Sequence, residues 1–179
     1  MDEFELEPPL DVETWAADQN LTLPRSGDER DKAERYLRAA VRAVENRVGP
    51  TLPRVVTLHV ARQWGRPLLL DVWPALAVET VDGAPVAPDV RVDDVGVVHG
   101  LPSGTHVLTV RVGRDPVPDD IVTGVFFVAS HLWEMQRGRA GRAEAFARPD
   151  EATAGVPRSF AIPRRALELL APYMVPGTA

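Results

Sequence analysis

The chain has no cysteine among its 179 residues. That excludes a disulfide framework, a Cys-ligated zinc or iron–sulfur centre and a thiol nucleophile. Lysine is nearly missing too: Lys32 stands alone against 19 arginines. Together with the Ala, Val, Gly and Pro usage, this points to a GC-rich coding sequence, so single arginines carry little functional weight. No apolar run approaches the roughly 18 residues of a membrane span. The start Met1-Asp2-Glu3 has the wrong charge for a secretory signal. The expectation is a soluble cytoplasmic protein with no membrane partner.

The signatures of catalysis are also absent. There is no G-x-x-x-x-G-K-[ST] and no strand-linked G-x-G-x-x-G to cradle phosphates. There is no G-x-S-x-G nucleophile elbow. Ser103 and Ser130 have no evident base. The expectation is a protein that is not an enzyme and needs no cofactor.

What remains is ordinary globular arithmetic, 45% hydrophobic and 26% charged, which predicts one domain. A chain of this length buries about 70% of its unfolded surface, so it needs neither metal nor disulfide to hold a core. The net charge of −6 is unevenly placed. Residues 1–24 hold seven acids (Asp2, Glu3, Glu5, Glu7, Asp11, Glu13 and Asp18) and no base. Residues 137–165 hold seven arginines (Arg137, Arg139, Arg142, Arg148, Arg158, Arg164 and Arg165) against Glu144, Asp150 and Glu151. Three readings are open. The ends are solvated tails, or they pair between neighbouring subunits in head-to-tail contacts that close into rings, or the arginine end binds nucleic acid. The last fits an acidic chain poorly, because Phe146 and Phe160 are the only aromatics in that segment.

The pattern along the chain predicts an α+β fold: a helical core of three to four helices with an inserted small antiparallel β region. Residues 1–10 read as an acidic arm. Asp11 caps a helix over about 12–19, anchored by Trp15. Residues 28–48 carry the clearest helical stripe, Ala33, Leu37, Ala40, Val41, Val44 and Val48. Acids load its first turns and arginines its later ones, Glu34 and Arg38 form an i,i+4 pair, and Gly49-Pro50 stops it.

Between about 54 and 112 the period changes to that of strands. Arg54–Val60, Pro67–Asp71 and Ala75–Val81 are extended runs, and Asp82-Gly83 is a hairpin signal. Val86 and Val90–Val92 are candidates to return from it. Val95–His99 and Thr105–Val112 are expected to pair around Gly100–Gly104. A buried helix follows over about 119–137, opened by Pro118 and two acids. Gly124 marks a close approach. Residues 138–161 read as a long mobile loop, 164–173 as a last helix and 175–179 as a tail. One domain is expected over 11–174. The expected core is Leu37, Val41, Val44, Val125, Phe126, Ala129, Leu132 and Trp133, with Met135 extending it.

Four histidines, His59, His99, His106 and His131, read as structural. His99 and His106 could face each other across a hairpin, but no carboxylate at matching spacing completes a metal site, so no metal is expected. Asp93-Asp94 reads as a turn, and Asp119-Asp120 as helix-end electrostatics.

The order of these parts resembles phage head–tail connector (adaptor, head-completion) proteins. The resemblance rests on "RYLRAAVRAVENRVG", "WPALAVETVDG", "HVLTVRVG", "VPDDIVTGVFFVASHLWEMQRG" and "AIPRRALELLAPY", in that order over about residues 10–174. The stretch between 82 and 104 is longer than in the smallest members. The resemblance implies a structural virion protein of the neck, present in the host cytoplasm during assembly. It implies a ring, usually of twelve subunits, below the portal protein. That ring meets the tail or a stopper and extends the channel through which viral DNA passes without sequence-specific binding. Carried over residue by residue, it points to Arg164, Arg165, Leu167, Leu170 and Tyr173 as portal-docking residues. The competing reading of Leu167 and Leu170 is that they pack on the core. The charge pattern adds Arg137, Arg139 and Arg142, with Asp2, Glu3, Glu5 and Glu7, as inter-subunit residues. Another phage neck component, such as a stopper or tail terminator, and a small nucleic-acid-binding module remain the alternatives.

Overall fold

A computed structural model describes residues 6–23, 27–136 and 162–174. The fold is α+β, with four α-helices and two antiparallel sheets among the described residues. The chain forms two compact units. One is helical, Leu6–Val44 with Asp119–Tyr173, and the other spans Glu45–Pro118 and holds the sheets.

In the helical unit, α1 (Val12–Asp18) starts where the Asp11 carboxylate accepts from the Thr14 N–H at 2.6 Å. This satisfies one of the donors that a helix start leaves open. Helix α2 (Asp28–Val48) buries Ala33, Leu37, Ala40, Val41 and Val44 along one stripe. Arg38 lies 3.7 Å from Glu34, one turn back. Helix α3 (Asp119–Gln136) buries Ile121, Val125, Phe126, Val128, Ala129 and Trp133. Two expected core positions on it depart from the pattern. Leu132 is half-buried and Met135 is 39% exposed. The buried face narrows toward the C-terminal end of α3, and these two side chains lie off the line through Phe126, Ala129 and Trp133.

Helix α4 (Arg164–Leu170) runs on into a 3₁₀ turn, Ala171–Tyr173. It packs on α3 at Gly124, where a Cβ would sit only 3.1 Å from Leu170 Cδ2. The glycine thus acts by its missing side chain, letting Leu170 seat against the helix backbone. Trp15 knits α1 to α3. It is fully buried, meets Trp133 edge to face at 5.8 Å, and donates its indole N–H to Ser130 Oγ at 3.1 Å.

In the second unit, a four-stranded sheet has the order β1 (Arg54–Arg62), β7 (Gly104–Val112), β3 (Ala75–Val81), β4 (Ala84–Pro85). A three-stranded sheet has the order β2 (Leu68–Leu69), β6 (Val97–His99), β5 (Arg91–Val92). One apolar cluster draws on both, through Val78, Leu108, Val110 and Val112 from the first and Val98 from the second, with Leu70 and Leu101. Asp82 and Gly83 both have positive φ, 52° and 78°, the geometry of the two-residue turn that suits the strand twist. Ala84-Pro85 returns from that turn beside β3, Val86 follows with its N–H on Glu79 O at 3.3 Å, and Arg91–Val92 joins the other sheet.

The expected hairpin of 95–99 with 105–112 does not form. Strand β6 pairs with β2 and β5, whereas β7 pairs with β1 and β3. Alternation states which side chains face inward, but it carries no information about which strand lies alongside. Here β1 matches β7 in length, nine residues each in uninterrupted register from Arg54↔Val112 to Arg62↔Gly104.

The last turn of α2 belongs to this unit and is tied down by Arg114. This nearly buried guanidinium donates to Val48 O at 2.8 Å and Pro50 O at 2.9 Å and lies 5.3 Å from the centre of the Trp73 ring. Arginine thereby supplies the donors that a helix C-terminus lacks. Beside it, Glu45 accepts from the Thr51 N–H and hydroxyl and from Arg54 at 2.8–3.0 Å. Gly49 ends the helix at φ 76°, where a Cβ would lie 1.8 Å from Trp73 O, so only glycine fits.

Candidate contact surfaces and polar clusters

The C-terminal segment divides into a packed face and an open one. Ala166 and Leu170 are fully buried, and Leu170 fills the notch over Gly124. Leu167, Leu169 and Tyr173 are half-buried. Arg164 is open to solvent and pairs with Glu168 at 3.1 Å on the next turn. The Arg165 guanidinium sits 4.9 Å from the centre of the Phe127 ring, a cation–π contact. Of the five residues suggested as docking positions, Leu170 is thus occupied inside the helical unit, and Arg164 presents the most surface. Arg137, Arg139, Arg142, Asp2, Glu3 and Glu5 lie outside the described residues, as do the expected mobile loop 138–161 and the C-terminal tail. Glu7 is described and exposed.

The histidines do not converge. His106 Nδ1 lies 2.8 Å from Asp82 Oδ2, while His99 Nε2 lies 2.9 Å from Asp93 Oδ2. The two are therefore held by separate carboxylates on separate sheets, not facing each other across a hairpin. Among the described residues no group of three or more His, Cys, Asp or Glu could hold a metal ion. Ser130 accepts from Trp15, which is a packing role.

Both aspartates are turn-builders. Asp82 also accepts from the Val107 N–H at 2.8 Å, stitching its hairpin turn to β7. Asp93 accepts from the Val95 and Val97 N–H groups, closing the turn before β6. Hydrogen bonds from His106 and then from Val107 hold the Asp82 carboxyl below its ordinary value of 3.8. Those from His99 and then Val97 do the same for Asp93. A carboxylate depressed in the folded state adds stability above its unfolded pKa and loses it as pH falls through the folded one. Asp82→Asn should therefore lower the melting temperature at neutral pH, and the gap from wild type should narrow as pH drops below 3.8. Melting curves across that range check this, and a gap independent of pH would contradict it.

Along α1 runs a groove of about 700 Å³. Its apolar floor is Val12, Ala16, Ala17, Leu21 and Leu23, and its edge carries Glu13 and Arg30. These two form an ion pair, and Arg30 also meets Glu34 at 3.2 Å. Hydrogen bonding and charge from Glu13, then Glu34, raise the Arg30 pKa further, so it stays protonated.

Opposed in character is the link from β1 to β2. Its turn Gln63–Arg66 closes through the Arg66 N–H to Gln63 O at 3.2 Å and leaves Trp64 90% exposed. Neither surface was anticipated from sequence. The one signal for the tip was a tryptophan placed between Gln63 and Gly65, outside any strand alternation.

A solved structure shares this fold across nearly its whole length. It is a chain from the neck of an empty GTA particle computed with C6 symmetry, with a TM-score of 0.59 at 20% identity, covering 98% of this chain and 94% of that one. A chain from the virion of a native gene transfer agent (GTA) particle matches similarly, with a TM-score of 0.58 at 20% identity over 97% of this chain and 94% of that one. At this identity the likeness is one of fold. No protein-family model matches the chain. No curated protein matches it either.

Proposed function

We propose that this chain is a structural subunit of a phage-type neck, forming a ring of twelve copies below the portal. The ring joins the DNA-filled head to the tail side and extends the DNA channel. The observation that carries this reading is the fold likeness to a chain of a GTA particle neck over 98% of this chain. The order of sequence motifs supports it independently, since that order is a property of the sequence alone. Twelve copies also satisfy a sixfold axis, the symmetry with which that neck was computed.

In this reading the portal is met by the open side of the C-terminal segment, Arg164, Arg165, Leu167 and Tyr173, with Leu170 holding the helix in place. A stopper or tail-completion protein meets the other face of the ring. The acidic balance of the chain, net −6, suits a conduit, because a lumen that attracted phosphates would retain the genome. The chain does no chemistry.

Deleting the gene from its phage or prophage tests the reading. Electron microscopy should show packaged or leaking heads accumulating apart from finished tails. Normal tailed particles would overturn it. Tight, steeply salt-dependent DNA binding by the purified chain would favour a nucleic-acid-binding module instead.

A further inference from the structure

The tip of the β1–β2 link is a knob without a partner in its own unit. Trp64 is 90% exposed, and Arg62 and Arg66 flank it. Neither arginine has an ion-pair partner among the described residues. The stretch 61–70 contains no acid. The tip is also well held. The nine-residue β1–β7 ladder runs unbroken to Arg62↔Gly104, a backbone hydrogen bond closes the turn, and Pro67 follows.

The groove along α1 has the reverse character. Its floor is small and apolar, it lies open along the helix, and it is built on a segment rich in acid. Residues 6–23 hold Glu7, Asp11, Glu13 and Asp18 and no base. Arg30 at the edge is already matched by Glu13 and Glu34, which leaves the surplus negative.

We propose that Trp64 of one copy of this chain seats in the α1 groove of the next, with Arg62 and Arg66 facing the acids of that segment. This inference rests on the ring reading and names its contact. Tryptophan and arginine are the residues most enriched among those that dominate protein interfaces, and such residues act from apolar pockets. Opposite charge around the pocket sets orientation and selects against wrong partners. Knob and groove are different surfaces, so the contact is head-to-tail. Each copy offers one of each, and repetition closes a ring when the rotation allows.

The absence of cysteine makes the test clean. Gln63→Cys marks the tip and Ala17→Cys marks the groove, both at exposed positions. The double variant, treated with a short thiol cross-linker, should give a ladder of covalent oligomers. The two single variants mixed should give only dimers, one chain of each kind. Adding Trp64→Ala to the double variant should abolish the ladder. Trp64→Ala alone should weaken self-association roughly thirty-fold, the loss typical of a dominant interface residue. At concentrations where the chain is monomeric its melting curve should stay at the wild-type position, because there the side chain is already in water.

Electron microscopy of the wild type at high concentration separates the two ideas. Rings without a ladder, or rings of Trp64→Ala formed as readily as those of wild type, would overturn the docking and leave the ring. Neither rings nor ladder would overturn both. Loss of single-stranded DNA binding in Trp64→Ala, with no ladder from the double variant, would assign the tip to nucleic acid and overturn the docking.

Discussion

Trp15→Ala should destabilise the helical unit by about 3–5 kcal/mol, the range for deleting a buried large aromatic. Trp15 is fully buried, and two further contacts depend on it. Its ring stands edge to face with Trp133 at 5.8 Å, and Tyr36 also meets Trp133 edge to face at 5.9 Å. Truncation therefore opens a cavity where α1 joins α3 and removes one side of a three-ring cluster. It also deprives the half-buried Ser130 hydroxyl of its indole donor.

Trp15→Phe separates these effects. A phenyl ring keeps most of the apolar contact and the edge-to-face geometry, but it cannot donate. Its cost should be about 1 kcal/mol for the lost hydrogen bond plus a smaller packing loss. Chemical denaturation followed by the far-ultraviolet helix signal would measure both. Equal losses for the two variants would place the value of Trp15 in the hydrogen bond and contradict the packing account. The α1 groove should be damaged along with the fold, since Val12 and Ala16 line it and lie on either side of Trp15 in the chain.

The second large effect is expected at Arg114. Its guanidinium donates to the carbonyls of Val48, at the end of α2, and of Pro50, just beyond it, and lies on Trp73. Hydrogen bonds to a charged donor contribute about 1.5–3 kcal/mol, and stranding a buried acceptor costs about as much as the bond itself. Arg114→Ala should therefore destabilise the Glu45–Pro118 unit by about 3 kcal/mol. Arg114→Lys keeps the charge but loses the planar fork. A single ammonium cannot reach both carbonyls and stack on the indole together, so the loss should be about half as large. Urea titration of the variants decides the matter. An arginine-to-lysine change with no measurable cost would show that charge alone, without fork geometry, secures the helix end.

The C-terminal helix shows how sequence and structure divide the work. Leu167 and Leu170 read equally well from sequence as core residues or as docking residues, because both are apolar positions on one short amphipathic helix. The structure separates them. Leu170 is fully buried against Gly124, while Leu167 is half-buried. Gly124 was legible as a point of close approach, since a glycine inside a long apolar helix costs stability unless something needs the space. What approaches it was not legible, because the partner lies more than forty residues away along the chain.

By itself, the sequence determined the parts that depend on local physics. The apolar period set α2 and α3. Side-chain chemistry set the Asp11 cap, the Gly49 stop and the Asp82-Gly83 turn. These choices involve residues within a few positions of each other, so propensity and hydrogen-bonding geometry suffice to make them. Strand partners lay beyond its reach, and the expected hairpin around residues 100–104 failed for that reason. Any inward-facing apolar strand fits any other until length, register and chain path are weighed together. Only the tertiary structure sent β6 and β7 to different sheets, gave His99 and His106 to separate aspartates, and brought Arg114 back to a helix end some 66 residues earlier. It alone left Trp64 in solvent and opened the groove along α1, because exposure belongs to the folded surface and is written in no single stretch of chain.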